Sequence, residues 1–315
     1  MTDPSVELAL RFGVGEVRGF RQVGRGAMGA VWRLDSSAGT FAAKEAFWEP
    51  PVEEHVLQEV AFRNACAAAG VPSPQPLPAT TGEYVVAVEG LAWRLFEWCD
   101  GEVVDHGDVP TTAWVAAQMG TIHALAWTTG DDPEPDDWYG VVDVDWPALA
   151  AAAGAAQVDW AADLKQLTPR LAELAELVNS TPIGDPVWCH RDLKNTNVLR
   201  SAARRTLVDW DNVGPLAPWR ELGDLLMHHL SNETGLRAIT AAYREAGGTA
   251  VVDGPATFAT GLAISLNFLH GQATAAMDEQ LQPAHREYAA STVLALLESI
   301  PDLQTLERAS QAVRR

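Results

Sequence analysis

The spacing of apolar residues along the chain changes once, near residue 98. Before that point, short apolar runs alternate with glycines and turn residues, as in 18–32, 39–46 and 84–98, which is typical of β-strands. Between the second and third of these runs, residues 53–69 place apolar side chains at helical spacing. We therefore predict a small sheet with one main helix in the first part of the chain.

Beyond residue 100, most apolar residues recur at the three- to four-residue spacing of an α-helix. The helical stretches are 111–127, 146–178, 219–229, 236–246, 256–270 and 284–299. A segment rich in Asp, Pro and Gly, 130–145, lies between the first two and is predicted to be an exposed loop. The predicted fold class is therefore α+β, with a small β-rich N-terminal lobe over residues 1–98 and a larger, mostly helical C-terminal lobe over residues 99–315.

Length and charge narrow the classes of function. The chain has 315 residues, of which 47% are hydrophobic, enough to bury a large core in two lobes. Its formal net charge is −20, from 42 acidic and 22 basic residues. Nucleic acids and anionic membranes bind clustered Lys and Arg, so neither is a predicted partner. The charge is compatible with a cationic substrate, although an acidic surface also serves solubility alone.

The sequence has none of the marks of a membrane, disulfide-linked or zinc-binding protein. No stretch approaches the roughly 18 apolar residues that span a bilayer, and the first residues do not combine a basic and an apolar region as a secretory signal does. The three cysteines, Cys66, Cys99 and Cys189, have no CxxC spacing. We predict a cytoplasmic location, and no oligomeric state follows from the sequence.

The first candidate site is glycine-rich. Gly24, Gly26 and Gly29 precede Val31 in a GxGxxGxV pattern between two β-like stretches. Glycines at this spacing let a polyphosphate approach the backbone closely and receive its amide hydrogens. A dinucleotide-binding fold needs a helix directly after the last glycine, whereas here the chain continues as a strand. A β-hairpin over the phosphates of ATP fits better, and a glycine-rich hairpin without a ligand is the alternative.

A lysine and a glutamate follow this hairpin. Lys44 lies on the next predicted strand, and Glu59 comes fifteen residues later in the predicted helix. An ammonium group there can hold the α- and β-phosphates of ATP, and a helix carboxylate can hold the ammonium. The alternatives are a solvated Lys44, and Glu53 or Glu54 in place of Glu59.

The most specific pattern is HRDxxxxN, formed by residues 190–197 and followed by an apolar strand. Asp192 can accept the proton of an attacking hydroxyl group, and Asn197 can reach a metal ion from the same loop. Lys194 can stabilise the transferred phosphoryl group. His190 is predicted to support the loop structurally, because Asp192 is better placed to act as the base.

A second potential metal ligand follows at hairpin spacing. Asp209 ends a short apolar run seventeen residues after Asp192. A β-hairpin of this length returns Asp209 beside Asn197, and carboxylate and amide oxygens are ligands that Mg²⁺ prefers. Asp211, two residues on, is either a further ligand or a solvated neighbour.

Taken in order, these motifs resemble the protein-kinase-like superfamily, and within it the aminoglycoside phosphotransferase family. The family resemblance rests on GVPSP at 70–74, TIHAL at 121–125, VDWD at 208–211 with GP at 214–215, and ELGDL at 221–225. It implies a bilobal protein-kinase-like fold, ATP and Mg²⁺ as cofactors, and γ-phosphoryl transfer to a hydroxyl group of an antibiotic or small metabolite. It implies Asp192 as the base, Asn197 and Asp209 as the Mg²⁺ ligands, and Lys44 as the phosphate-binding lysine. It also implies a hinge at Glu97, Trp98 and Cys99 whose backbone meets the adenine.

The acceptor that we favour is an aminoglycoside-like or other cationic antibiotic, with a role in antibiotic resistance; an amino sugar, a choline-like amino alcohol and homoserine are alternatives. A Ser/Thr protein kinase is the rival class, because HRDLK at 190–194 is typical of it. Only fourteen residues separate Asp209 from Asp224, however, with DWD in place of DFG and no APE string, which leaves little room for an activation loop. A pseudokinase scaffold would need a broken site, and every expected catalytic position is filled.

Overall fold

The computed structural model describes residues 4–26, 28–48, 50–130 and 135–314. The chain forms two compact units. The first unit comprises Met1–His106 and Lys194–Val213, and the second comprises Gly107–Leu193 and Gly214–Arg315. The lobe boundary predicted at residue 98 stays a prediction.

The predicted α+β fold class is confirmed, with most strands early in the chain and most helices late. The strands are β1 (Val17–Arg25), β2 (Gly29–Ser36), β3 (Thr40–Ala46), β4 (Pro76–Leu77), β5 (Val86–Val88), β6 (Leu91–Glu97), β7 (Glu102–Val103), β8 (Val187–Cys189), β9 (Val198–Arg200), β10 (Arg205–Leu207) and β11 (Gly214–Leu216). The helices are α1 (Ser5–Phe12), α2 (Glu53–Ala68), α3 (Val109–Ala124), α4 (Trp146–Ala155), α5 (Ala161–Ser180), α6 (Pro218–Met227), α7 (Glu233–Glu245), α8 (Ala259–Met277), α9 (Pro283–Ser299) and α10 (Leu303–Arg314). Short 3₁₀ turns lie at Asp137–Tyr139, Asn195–Asn197 and Pro255–Phe258.

The main sheet of the first unit is antiparallel, with the strand order β1-β2-β3-β6-β4 and with β5 also paired to β6. Val31 of β2 lies opposite Lys44 of β3, which in turn lies opposite Arg94 of β6. Because side chains alternate between the two faces of a strand, these three residues share one face of the sheet. Ala43 and Leu95, one position along each strand, belong to the hydrophobic core on the other face. The register therefore places Lys44 and Arg94 side by side, away from that core.

Helix α1 is an element that the sequence analysis did not assign. It adds Leu8, Ala9 and Phe12 to the core under the sheet. The helix ends at Gly13, which has the left-handed φ of 65° that favours glycine after a helix. Apolar residues at helical spacing before this glycine are the signal that could have identified it.

A second small sheet, of order β10-β9-β7, carries the hairpin predicted from the spacing of the metal-ligand candidates. Val198 lies opposite Leu207, and the amide of Val208 donates a 2.9 Å hydrogen bond to the carbonyl of Asn197. Asn197 is therefore bonded to the residue that directly precedes Asp209. The hairpin brings the two candidates to the same end of the strands.

The second unit consists mainly of helices and includes the two-stranded sheet of β8 and β11. The helical stretch predicted over 146–178 consists of two helices, α4 and α5, separated by a turn in which Gln157 has a φ of 54°. Helix α5 then continues through Pro169. Within the described ranges, no helix combines the length and the apolar character needed to cross a bilayer.

The segment predicted as an exposed loop, 130–145, is only partly exposed. Residues 131–134 of it lie outside the described residues. Tyr139 is buried, and its carbonyl accepts a 2.8 Å hydrogen bond from the hydroxyl of Thr260 on α8. The amide group of Asn267, also on α8, donates to the carbonyls of Trp138 and Val141 at 3.1 and 2.9 Å. These bonds hold the end of the segment against the helix.

Candidate active site

In the first unit, the ammonium group of Lys44 lies between two carboxylates. Its Nζ atom is 2.5 Å from Oδ1 of Asp209 and 2.5 Å from Oδ2 of Asp211. Burial alone would lower the pKa of Lys44, but the charges of Asp211 and Asp209 outweigh it, and the pKa is raised above its ordinary value. Lys44 therefore stays charged, and the structure places a cation where the sequence predicts phosphates and a metal ion.

The two carboxylates of the DWD sequence have different surroundings. Asp209 has a left-handed φ of 65°, which is uncommon for a residue other than glycine and is found preferentially at functional sites. Its side chain is 41% exposed, against 33% for Asp211. Burial would raise the pKa of Asp211, but Lys44 and Arg94 outweigh it and hold the pKa below its usual range. Asp211 is therefore an ion-pairing residue of the site and not a solvated neighbour.

The predicted pairing of Glu59 with Lys44 is wrong. The Glu59 carboxylate is buried and pairs with Arg63 at 3.0 Å and with Arg94 at 2.7 Å. Arg94 in turn lies 3.2 Å from Asp211. The physical reason is the strand register, which places a long, planar guanidinium next to Lys44 and within reach of helix α2. The connection from the helix to Lys44 thus passes through Asp211 and through Arg94, which the motifs did not single out.

The alternative partners on α2 are not used either. The Glu53 carboxylate accepts hydrogen bonds from the backbone amides of Tyr84 and Val85 at 2.8 and 3.0 Å. Glu54 is exposed. The glutamates at the start of the helix therefore serve local structure and the surface.

The metal-ligand candidates, Asn197 and Asp209, fit a divalent cation such as Mg²⁺. They offer amide and carboxylate oxygens, the hard ligands that this ion prefers. The backbone bond from Val208 to Asn197 places them at one end of the hairpin. Asn197 is buried, whereas Asp209 is partly exposed and is held on one oxygen by an ammonium cation. The types of donor atom in these two side chains therefore suit a divalent cation.

The three glycines of the GxGxxGxV pattern differ in whether packing requires a glycine at that position. A Cβ atom on Gly29 would lie 2.1 Å from the carbonyl oxygen of Glu45 on β3, so the sheet itself requires glycine there. A Cβ atom on Gly26 would meet nothing within 4 Å. Gly24 pairs with Val31 across the hairpin, where a Cβ atom would make ordinary contact at 3.8 Å. Packing thus gives no reason for glycine at Gly26, and the close approach of phosphates there stays a prediction.

The predicted hinge, Glu97 to Cys99, begins at the last residue of strand β6. Glu97, its last residue, bonds with Gln75 through its backbone amide at 2.9 Å, and its carboxylate accepts the Gln75 amide at 3.1 Å. The indole of Trp98 donates a 2.8 Å hydrogen bond to Asp100. Cys99 is buried, and burial raises the pKa of its thiol. The segment is thus fixed at the end of β6, and its contact with adenine stays a prediction.

The HRDxxxxN sequence begins in the second unit, directly after strand β8. His190 is fully buried, which agrees with the structural role predicted for it. Arg191 has a left-handed φ of 63°, and its backbone amide donates to Oε1 of Glu221. Its guanidinium lies 4.3 Å from the centre of the Tyr139 ring. Asp192, the next residue, is half-buried, and the fixed backbone of Arg191 limits the positions that it can take.

A buried network that the motif analysis did not interpret holds Glu221 in place. Nε2 of His123 lies 2.6 Å from Oε2 of Glu221, and Nδ1 lies 2.9 Å from the Tyr243 hydroxyl. Burial would raise the pKa of Glu221, but its bonds with His123 outweigh it and lower the pKa. Cys189, 3.4 Å from His123, completes a set of metal-ligand types, yet the 2.6 Å separation is a hydrogen bond and leaves no room for an ion. His123 lies in TIHAL and Glu221 lies in ELGDL. These two sequences contributed to the family resemblance but did not predict a role for either residue.

The remaining part of the loop belongs to the first unit. Lys194 is half-buried and precedes the 3₁₀ turn Asn195–Asn197. The amide group of Asn195 donates to the backbone carbonyls of Asp105 and His106 at 2.8 and 3.2 Å. Asn195 thus anchors the turn that presents Asn197, a role that the sequence pattern did not indicate.

The chain resembles known proteins over most of its length. The model of a family described as the phosphotransferase enzyme family matches residues 19–258. No curated protein matches the sequence. The resemblance to the aminoglycoside phosphotransferase family that the motifs predict is thereby confirmed.

Several solved structures share the fold at low sequence identity. An aminoglycoside phosphotransferase from Alicyclobacillus acidocaldarius subsp. acidocaldarius DSM 446 has a TM-score of 0.61 at 17% identity, over 93% of this chain and 92% of its own. A spectinomycin phosphotransferase in complex with ADP and spectinomycin has a TM-score of 0.66 at 13% identity, over 96% and 97%. A microcompartment-associated aminopropanol kinase has a TM-score of 0.61 at 16% identity, over 98% and 99%. At these identities the likeness establishes the fold alone.

Proposed function

We propose a function from one premise: the chain belongs to the phosphotransferase enzyme family, whose model matches residues 19–258. The proposed activity is ATP- and Mg²⁺-dependent transfer of the γ-phosphoryl group to a hydroxyl group of a small molecule, in the cytoplasm. The observation that carries it is the ammonium of Lys44 held by Asp209 and Asp211 at 2.5 Å each. It is supported by the glycine-rich hairpin, where Val31 is the cross-strand partner of Lys44.

ATP fits the residues of the first unit. The hairpin tip at Gly26 leaves room for phosphates, and Lys44 supplies a charge that can move from the carboxylates to the α- and β-phosphates. Asn197 and Asp209 would hold Mg²⁺, which neutralises charge on the phosphates when bound. The spectinomycin phosphotransferase that shares the fold was solved with ADP, which favours an adenine nucleotide here.

Asp192 is the proposed catalytic base. It accepts the proton of the acceptor hydroxyl group as that oxygen attacks the γ-phosphorus in line with the departing β–γ bridging oxygen. The bond to the bridging oxygen breaks, ADP leaves, and the proton passes from Asp192 to solvent. Lys194 offsets the charge of the transferred group. Positioning and electrostatics supply most of the rate enhancement, because the protein forms no covalent bond with the phosphoryl group.

A compact acceptor fits better than a protein. Strand β11 begins at Gly214, three residues after Asp211, and helix α6 begins at Pro218, so the stretch from Asp209 to Pro218 is too short for an activation loop and a peptide platform. The relatives named above act on spectinomycin and aminopropanol, which are small molecules with amine and hydroxyl groups. The net charge of −20 favours a cationic acceptor. We place an aminoglycoside-like or other cationic antibiotic first, and antibiotic resistance as its consequence, with an amino sugar, a choline-like amino alcohol or homoserine next.

The experiment that tests this function is an ATP-consumption assay with Mg²⁺. The acceptors are a panel of aminoglycosides, other cationic antibiotics, amino sugars, amino alcohols, homoserine and one basic protein. Stimulation by one class of small molecule supports the proposal and identifies the acceptor. Phosphate that appears only on the protein would instead establish a protein kinase. Asp163→Asn, an exposed change on α5, serves as the matched control for changes at Asp192.

A further inference from the structure

Arg94 occupies a central position among the charged groups of the first unit. It is buried, with 4% of its side chain exposed. Its two terminal nitrogens bind both oxygens of Glu59, at 2.7 and 3.0 Å. Nη1 also donates to Oδ1 of Asp211 at 3.2 Å. One guanidinium therefore connects helix α2 with the segment that follows strand β10.

Asp211 uses its two oxygens for two different cations. Oδ1 faces Arg94 at 3.2 Å, and Oδ2 faces the ammonium of Lys44 at 2.5 Å. Asp209 pairs with Lys44 through Oδ1 and, among the described residues, with no second cation. Asp211 is thus a bridge between two protein cations, whereas Asp209 pairs with one.

These groups form a row in which the sign of the charge alternates. The row runs through Arg63, Glu59, Arg94, Asp211, Lys44 and Asp209. Each group contacts groups of opposite charge, as buried ions require. Removal of Arg94 divides the row, because it leaves Glu59 with Arg63 alone and Asp211 with Lys44 alone.

We infer that Arg94 is a positioning residue for nucleotide binding, which holds Asp211, and through it the ammonium of Lys44, in a fixed relation to helix α2. The inference rests on the proposed function, because the ligand is the Mg²⁺ complex of an adenine nucleotide. When Lys44 moves to the phosphates, Arg94 keeps the charge of Asp211 compensated, so the carboxylate does not draw Lys44 back. The connection through Arg94 and Asp211 thereby replaces the direct ion pair of Glu59 with Lys44 that the sequence predicted.

The test compares Arg94→Met with Arg63→Met. Both arginines are buried and both bind Glu59, but Arg63 makes no ion pair with Asp211. Thermal unfolding gives the loss of Tm for each variant, and calorimetry gives the affinity for Mg·ADP. We expect both variants to lower Tm. Only Arg94→Met should weaken Mg·ADP, by about tenfold, with Arg63→Met within about twofold of the wild type.

The same measurement in the Asp211→Asn background separates positioning from packing. If Arg94 acts through Asp211, Arg94→Met should add less than about twofold to the Mg·ADP affinity change in that background. Arg94→Lys keeps the charge but not the planar fork, so its affinity for Mg·ADP should lie between those of the wild type and Arg94→Met. It replaces Arg94→Met in the test if that variant does not fold.

Two results overturn the inference. One is an equal loss of Mg·ADP affinity in Arg94→Met and Arg63→Met, which would mean that the arginines only stabilise α2. The other is an undiminished effect of Arg94→Met or Arg94→Lys when Asp211 is already Asn. Wild-type protein that binds no Mg·ADP would overturn the proposed function as well, so the two failures are distinct.

Discussion

Lys44 and Arg94 are direct cross-strand partners on β3 and β6, yet their ion pairs involve different elements. Lys44 binds the carboxylates of the DWD sequence, whereas Arg94, unlike Lys44, also binds Glu59 on helix α2. The two cations meet at Asp211, which contacts both. Lys44, the proposed phosphate-binding lysine, is thus connected to helix α2 only through Asp211 and Arg94, and its environment is the basis of the first prediction.

Replacement of Lys44 by Met should weaken nucleotide binding and the local structure together. Asp209 and Asp211 would lose their shared cation, and the phosphates would lose a ligand. We expect the affinity for Mg·ADP to fall at least about tenfold, and the free energy of unfolding to fall by about 1–2 kcal/mol, because the pairs are partly exposed. Calorimetry and thermal unfolding measure the two effects. Lys165→Met, at an exposed site on α5, should change neither; a Lys44→Met protein with normal affinity would contradict the assignment.

Two glycines of the hairpin should respond in opposite ways to alanine. Gly29→Ala places a Cβ atom 2.1 Å from the carbonyl of Glu45 and should destabilise the protein by about 2 kcal/mol. Gly26→Ala meets no neighbour within 4 Å, so its free energy of unfolding should stay within about 0.5 kcal/mol of the wild type. Gly26→Ala should nevertheless reduce Mg·ADP affinity, because the added methyl group occupies space beside the phosphates. Equal losses of stability in the two variants would show that the hairpin tip is packed.

Glu221→Gln should reduce the rate of transfer more than it affects nucleotide binding. The Glu221 carboxylate accepts the backbone amide of Arg191, the residue before Asp192, and is fixed by His123. Loss of its charge should weaken both bonds and let the base move, which we expect to lower kcat by about tenfold to a hundredfold. Mg·ADP affinity should remain within about twofold of the wild type. A matched change at the exposed Glu176 should leave kcat unchanged, and a fall in affinity without a fall in kcat would refute a positioning role for Glu221.

The same glutamate should contribute to the loss of stability in acid. Its pKa in the folded protein is lowered from the ordinary value of 4.5, so the unfolded chain binds its proton more tightly. The stabilisation is therefore complete above about pH 5.5 and is lost as the pH falls through 4.5 and below. Thermal unfolding between pH 7 and pH 3 should show a smaller decrease of Tm for Glu221→Gln than for the wild type. Equal decreases of Tm in the two proteins would mean that folding does not lower the pKa of the Glu221 carboxyl group.

The periodicity of the sequence predicted the elements that are regular over many residues. Helix α2 was predicted at 53–69 and is found at Glu53–Ala68, because its buried residues recur at helical spacing. The hairpin between Asn197 and Asp209 followed from spacing, because a short loop can only return the chain antiparallel. The break between α4 and α5 was missed, because alanine-rich sequence favours helix on both sides of it.

The ion pairs were less predictable, because they depend on which strands are neighbours. Arg94 stands in an apolar strand and gives no local sign that Glu59, thirty-five residues earlier, is its partner. His123 and Tyr243 meet across 120 residues. The spacing of motifs identified the residues that such a site needs, whereas the contacts that hold them follow from the tertiary structure.

The most direct test of the account is phosphoryl transfer by Asp192→Asn, measured with the small-molecule acceptor that stimulates ATP consumption most. Mg·ADP affinity is measured in parallel. The account predicts that transfer falls by about 10²- to 10⁴-fold while the affinity stays within about threefold of the wild type. Asp192→Asn protein that retains most of its transfer activity would contradict the account, because the proposed base would then not take the proton.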